Sequence, residues 1–420
     1  MTKTTKPKPR KSPVVSSARR GFPIIDADSH VFEPTTIWEE YLDRPYRVLA
    51  RSAFWYEYVD GVVTVILNGQ PAKPLNASKI NRQAIWRPGM TPEEIGALDP
   101  SVAHPTTPGA ADPRARLRDM NTLGIDQAVL FPTLFAAYFP AIVNPDVAYA
   151  LARAYNDWIW EFSRAAPRRL IPVAVLPLQD VNFSLRELRR AAKRGFRAVV
   201  LRPSFYAQKF GSWAPYDSSA RARFLNHADY DPLWAEIERL GLSACIHPSC
   251  GSTNAEWTST GAYVERVAHA LRTGHYLAES VAPTMDNGIF LTAVCFYGHL
   301  ERFPQLRLSM HHSGASWVPL ALEKAETYLW LLSNFKDVSL EPEHVFFQRR
   351  PLVTFNSWES SVARLTDTYH DIAAWGSRYP HHDASGPEEV LAMLRAWKAP
   401  AEAVANYMGG NAARCFAPES

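Results

Sequence analysis

Eight short apolar runs, each followed by a longer segment with helical spacing, constrain this chain more than any other feature. They are 22–26 (FPIID), 126–133 (DQAVLFPT), 171–178 (IPVAVLPL), 196–204 (FRAVVLRPS), 242–248 (LSACIHP), 306–312 (LRLSMHH), 351–357 (PLVTFNS) and 371–377 (DIAAWGS). Short continuous runs suit strands buried on both faces, as in a parallel sheet covered by helices. Segments 112–124, 182–195 and 231–241 place apolar residues three and four apart and stop at Gly124, Gly195 and Gly241. A glycine adopts the left-handed conformation that ends a helix at little steric cost. The alternation predicts an α/β fold, a (β/α)8 TIM barrel, whose reactive groups gather on the loops after the strands' C-terminal ends.

The chain has 420 residues, well beyond the roughly 250 of a plain barrel, so insertions are expected after strand 1 (35–111), strand 4 (205–230) and strand 5 (250–300). Within the first, 56–69 reads as a hairpin turned at Asp60 and Gly61, and the third reads as mostly helical. All three would wall the pocket. Residues 1–20 carry seven basic side chains, three prolines and no acid, and are expected to be a disordered basic tail ahead of one domain over 21–420. Without those seven, 42 acids outnumber the remaining bases, which excludes a basic nucleic-acid platform. No secretory signal and no run of about 20 apolar residues is present, so no membrane partner is expected. Four cysteines (Cys245, Cys250, Cys295, Cys415) form neither a disulfide framework nor a paired CxxC knuckle. They read as buried small hydrophobes in a cytoplasmic protein acting on a small molecule.

A barrel demands that chemistry-bearing side chains cluster at strand ends. Strand 1 ends in Asp26-Ala-Asp28-Ser-His30, where Asp28 and His30, two apart on an extended segment, project from one face. Strand 5 ends in His247 and strand 6 in His311-His312. A lone histidine at a strand end is usually structural; three such sites at strands 1, 5 and 6 predict a shared centre.

The motifs DADSHVFEP (26–34), DPRARLRDMNTLGIDQAVLFPT (112–133), IPVAVLPLQD (171–180), HHSGASWVP (311–319) and GGNAARCF (409–416) resemble the amidohydrolase-related family, the branch with aminocarboxymuconate-semialdehyde and γ-resorcylate decarboxylases. The resemblance implies that Asp28, His30 and His247 are metal ligands. It also implies that His312, in His312-Ser-Gly314, is the proton donor. Two imidazoles and a carboxylate leave open positions on a divalent metal, with Zn²⁺ the expected ion. Relatives carry W-G-S-D-Y-P-H at strand 8, whereas this chain reads Trp375-Gly376-Ser377-Arg378-Tyr379-Pro380-His381. A guanidinium can neither ligate a cation nor accept a proton, so Arg378 swings away, displaces the metal or serves a substrate anion.

Arg202, at the end of strand 4, could pair with a substrate carboxylate, and Trp317 and Trp358 could stack on a planar substrate. Glu359 could replace the missing base but reads first as an exposed loop acid. His381, His382 and Asp383 form an alternative metal set whose plainer reading is a solvated loop. The leading reading is a metal-dependent hydrolase or nonoxidative decarboxylase (C–C lyase) acting on a small carboxylated or aromatic molecule. Its rival is a catalytically degenerate subunit pairing with an active paralogue. The expected assembly is accordingly a homodimer or a heteromer with a paralogous chain.

Overall fold

The computed structural model describes residues 21–72, 78–203, 224–248, 276–332 and 341–416; the expected tail, Cys250 and most of the insertion at 205–230 lie outside them. Eight parallel strands run in the order β1 (Ile25–His30), β5 (Gln127–Phe131), β6 (Leu170–Val175), β7 (Ala198–Leu201), β8 (Ser243–Ile246), β9 (Arg307–Met310), β10 (Leu352–Phe355) and β11 (Ala373–Trp375). This is the expected (β/α)8 barrel. Nearly every strand residue is buried, which is why the runs are apolar throughout rather than at alternate positions.

Helices follow the predicted punctuation. Helix Pro113–Leu123 starts on Asp112, whose carboxylate accepts from Arg114 N, and ends at Gly124 with φ 73°. Helix Val181–Arg194 is capped by Asp180 and ends at Gly195 with φ 99°. Both side-chain caps satisfy amide groups that a helix start otherwise leaves unpaired.

Strand 1 departs from its expected limits, beginning at Ile25 rather than residue 22 and running on to His30. It stays paired with β5 through Ser29 to Leu130 and His30 to Phe131, after a bulge between Asp26 and Ser29. Parallel pairing past the apolar run carries the polar Asp28 and His30 into the strand itself. On its other side the barrel closes through the loop after β11. Arg378 N donates to Asp28 O at 2.8 Å, His30 N to Tyr379 O at 2.6 Å, and Ser377 N to the Asp26 carboxylate at 2.8 Å.

The first insertion forms a separate antiparallel sheet, β2 (Phe54–Val59), β3 (Val62–Leu67) and β4 (Gln70–Ala72). Its β2–β3 turn is at Asp60 and Gly61, both at positive φ as a tight hairpin requires. β2 packs against the segments that follow β1 and β5, with Phe54 on Trp38 and Phe135 and Tyr56 on Phe32. Further along the insertion, Ile85 N and Trp86 N donate to Pro380 O, so this segment clasps the loop that carries Arg378. In the third insertion the described residues are 276–300, most of them in the helix Tyr276–Phe296.

Candidate active site

Asp28, His30, His247 and His312 come from β1 and from the ends of β8 and β9, and one ligating atom of each lies within 4.8 Å of the others. Asp28 Oδ1 is 3.3 Å from His30 Nε2 and 3.5 Å from His247 Nε2, and the two Nε2 atoms are 3.2 Å apart. The other ring nitrogens are committed: His30 Nδ1 faces Pro132 O at 3.2 Å and His247 Nδ1 faces Pro248 O at 2.8 Å. A carbonyl only accepts, so the proton of each neutral ring sits on Nδ1 and leaves Nε2 as a lone pair aimed inward.

Asp28 is fixed from behind. Its Oδ2 accepts from His312 N at 2.9 Å and from Thr354 Oγ1 at 3.3 Å, while Oδ1 is buried with no hydrogen-bond partner. Burial opposes ionisation, yet hydrogen bonding and charge from the His247 and His30 rings, which act when Nε2 carries a proton, hold the Asp28 carboxyl well below its usual range. Burial also depresses the His30 imidazole from its ordinary value. The cluster therefore sets an ionised carboxylate beside the inward Nε2 atoms of His30 and His247, a donor set that a divalent cation can bridge. The unpartnered Asp28 Oδ1 is the observation that most directly fits such an ion.

Gly376 explains how Asp28 reaches this place. A Cβ built on Gly376 would lie 2.4 Å from Asp28 Cβ, so β11 can close on β1 only where residue 376 has no side chain. Arg116 supports the same strand. Its Nη1 donates to Ser29 Oγ at 2.9 Å, its Nη2 to His30 O, and its guanidinium lies 4.0 Å over the Tyr379 ring.

Arg378 does not swing away. Its side chain is only 17% exposed, Nη2 donates to His312 Nε2 at 2.7 Å, and Nη1 pairs with Asp383 Oδ2 at 2.8 Å. Burial, reinforced by this guanidinium, holds His312 well below its ordinary value. Because Arg378 can only donate, His312 is neutral with its proton on Nδ1, an atom without a hydrogen-bond partner among the described residues.

The cavity over the cluster, about 120 Å³, is lined by His30, His247, His312, Arg202, Arg378 and His381, with Arg82, Thr133, Tyr138 and Asp383 further round the wall. Arg202 thus stands on the cavity wall. Three expectations need correction. Trp317 is buried and donates Nε1 to Gly314 O at 2.7 Å, while Trp358 is 52% exposed; neither lines this cavity among the described residues. Glu359 is a structural acceptor, taking hydrogen bonds from Ala315 N at 3.0 Å and Asn356 N at 2.8 Å. Its carboxylate lies where a Cβ on Gly314 would fall. The loop after β11 is not solvated at His381, which is buried with its ring 4.2 Å from that of His30. Arg82 was not singled out beforehand, because nothing in its local pattern marks a residue from the first insertion as a cavity wall.

Behind the Thr133 loop, buried Glu33 accepts from Thr133 N at 2.8 Å and Leu134 N at 3.0 Å. Burial pushes its carboxyl up from 4.5 to about 7. A raised folded value means the folded state holds a proton that the unfolded state releases. The contribution is therefore full below the unfolded value and is lost as pH rises through about 7. Between about pH 5 and about pH 8, the wild type should lose about 2–3 kcal/mol relative to Glu33→Gln. Urea unfolding of both proteins at the two pH values checks this, and parallel pH dependences would refute it.

An eight-stranded parallel barrel with a carboxylate and imidazoles converging inside its mouth defines a class, that of barrel proteins whose strand ends could hold a divalent metal. The chain belongs to the amidohydrolase family: the family model described as Amidohydrolase matches residues 25–417. It is 25% identical over 217 residues to the 2-amino-3-carboxymuconate-6-semialdehyde decarboxylase of Dictyostelium discoideum, covering 51% of each chain. It is 31% identical over 134 residues to the gamma-resorcylate decarboxylase of Rhodococcus jostii, covering 32% of this chain and 38% of that protein. The matched stretches thus span about half or less of these curated relatives. Among solved structures, an amidohydrolase from Mycobacterium avium subsp. paratuberculosis aligns over 94% of this chain and 99% of its own, with a TM-score of 0.72 and 17% identity. A 5-carboxyvanillate decarboxylase from Novosphingobium aromaticivorans, complexed with manganese and 4-hydroxy-3-methoxy-5-nitrobenzoic acid, aligns over 96% and 98% with a TM-score of 0.61 and 18% identity.

Proposed function

We propose that this protein is a metal-dependent nonoxidative decarboxylase of a small carboxylated aromatic molecule. The observation that carries the reading is the convergence of Asp28, His30 and His247 on one point beneath a cavity that Arg202 lines. The curated relatives' names and the ligand of the manganese-bound structure support the same substrate class.

A divalent cation held by Asp28, His30 and His247 would supply Lewis acidity to a coordinated substrate oxygen. The chain's own residues do the rest. Arg202 presents a guanidinium to the substrate carboxylate. Pro132 O, Thr133 Oγ1 and Pro248 O hold the two imidazoles in the tautomer that leaves Nε2 free. Decarboxylation replaces a C–COO⁻ bond by C–H, so one proton must reach the ring carbon as carbon dioxide leaves. The neutral His312 would pass that proton on from its Nδ1–H and regain one from water, acting as a relay, with Arg378 at Nε2 as its positioning partner.

Hydrolysis remains the second reaction open to such a site. The degenerate-subunit alternative finds no support, since an abandoned centre has no reason to keep three inward donors and the hydrogen bonds behind them. Zn²⁺ suits mixed imidazole and carboxylate ligands, while manganese in the solved relative makes Mn²⁺ an equal candidate. The thiols Cys245, Cys295 and Cys415 support a cytoplasmic setting. Exposed Met285, Ile289, Leu320 and Tyr328 on helices Tyr276–Phe296 and Val318–Leu331 support a homodimer. No helix among the described residues is long and apolar enough to cross a membrane.

Metal analysis of the purified protein, followed by carbon dioxide release assays on hydroxylated benzoates with Mn²⁺ and Zn²⁺ separately, tests the reading. About one equivalent of metal, and turnover that a chelator abolishes and the ion restores, is the expected result. Binding of neither ion would sink it.

A further inference from the structure

His312 and Arg378, which touch each other in the cavity, share an uncommon backbone conformation. Their φ angles are 60° and 59°, in the left-handed region where the Cβ of any residue but glycine is crowded. Such residues persist only where surrounding contacts over-determine them. Arg378 N donates to Asp28 O at 2.8 Å, and His312 N to Asp28 Oδ2 at 2.9 Å. A single bond at the His312 amide does not fix the residues on either side of it, so the turn must be held from elsewhere.

The helix Tyr276–Phe296 of the third insertion supplies that hold. Asn287, fully buried, donates through Nδ2 to His311 O at 3.0 Å and to Ser313 Oγ at 2.8 Å, so one amide straddles His312 and ties the residue before it to the residue after it. The His311 carbonyl only accepts, and the Ser313 hydroxyl already donates to Gly314 O at 3.2 Å. Both therefore require N–H from Asn287, which decides which way its amide faces. Trp317 Nε1 adds a bond to Ser313 Oγ at 3.1 Å, and Thr284 Oγ1 one to Ser313 O at 3.1 Å. From this turn the His312 ring presents Nε2 to Arg378 Nη2 at 2.7 Å.

We infer that Asn287 is a positioning residue: it holds His312 in the left-handed turn that seats Nε2 against Arg378, and through that contact it sets the tautomer of the relay. In a neutral imidazole the hydrogen bond at one nitrogen decides which nitrogen carries the proton, and a guanidinium at Nε2 puts it on Nδ1. The helix of the third insertion thereby belongs to the working site, although none of its described residues lines the cavity. The inference rests on the reading above for the role of His312 as relay; the seating of the ring does not depend on it.

Nitrogen NMR of the purified protein carrying isotope-labelled histidine tests it, with the His312 signals assigned by their absence from His312→Gln. The measurement needs no turnover, so failure of the decarboxylase reading and failure of this inference are separable. The wild type should show a bare Nε2 well separated from a protonated Nδ1; a ring without that separation overturns the inference. Asn287→Asp keeps the shape of the side chain and removes both donors. It should cost at least about half of the separation, as the ring leaves Arg378 and the tautomers average; a folded variant that retains the separation overturns the inference. Asn411→Asp is the control, because Asn411 is also buried and donates to His370 O at 3.0 Å and Ala373 O at 2.8 Å, at the end of β11 away from Arg378. It should leave the His312 signals in place, and their loss there too would mean general loosening and overturn the inference. Should Asn287→Asp fail to fold, Ser313→Ala removes the hydroxyl that Asn287 and Trp317 share; the same loss is expected, and retention overturns the inference.

Discussion

Replacing His247 with alanine is expected to lower bound divalent metal from about one equivalent per chain to under about a tenth, and turnover by about 10³-fold or more. Changing even a residue behind a metal ligand typically costs about 10–100-fold in affinity or activity, and His247 is in front. Its Nε2 stands 3.2 Å from that of His30 and 3.5 Å from Asp28 Oδ1, so its loss opens one side of the donor set. The two donors left cannot hold a cation against bulk water as three do. Elemental analysis after dialysis against metal-buffered solution reads the first effect, and carbon dioxide release the second. Unchanged stoichiometry in a folded His247→Ala protein would remove the metal centre from this account.

The second large effect is expected from a single methyl group. Gly376→Ala puts a Cβ 2.4 Å from Asp28 Cβ, closer than atoms can stand, and both partners are backbone-anchored at the seam where β11 meets β1. Overpacking of a rigid core typically costs about 1–3 kcal/mol, a fall in melting temperature on the order of 1 °C per kcal/mol for a chain of this size. The larger consequence is functional. Relief of the clash must move Asp28 away from the two imidazoles, so metal affinity should fall about 10–100-fold. Gly96→Ala is the matched control, since a Cβ there meets nothing within 4 Å. Equal melting temperature and metal titration for the two variants would show that the seam yields without cost.

Much of the architecture could be read in one dimension because it rests on local rules. Strands buried on both faces need continuous apolar runs, and helices that must end before the next strand need a residue able to turn left-handed; 196–204 and Gly195 satisfy both. The donors Asp28, His30 and His247 were legible for a related reason. A parallel barrel brings all strand C-termini to one rim, so polar residues at several strand ends must meet. Limits were harder to place: β1 outruns its apolar stretch because pairing with β5 continues past the bulge, and a ladder of hydrogen bonds is not a property of the strand alone.

What only the tertiary structure decided are relations between residues on different elements. The partners of Arg378 come from β9's end and from the loop five residues on; its basic character was plain, but which acceptors lay within reach was not. Trp317 had an aromatic ring suited to a substrate, and the backbone of Gly314 claimed its N–H. Glu359 had a carboxylate suited to a base, and amides from two loops claimed its oxygens. His381 looked like a loop residue until the His30 ring closed over it. Residue type sets what a side chain can donate, accept or ligate, and that much this sequence determines by itself. Whether the capacity is spent on the fold or left for chemistry depends on which groups the closed barrel brings within about 3 Å, the range over which hydrogen bonds act.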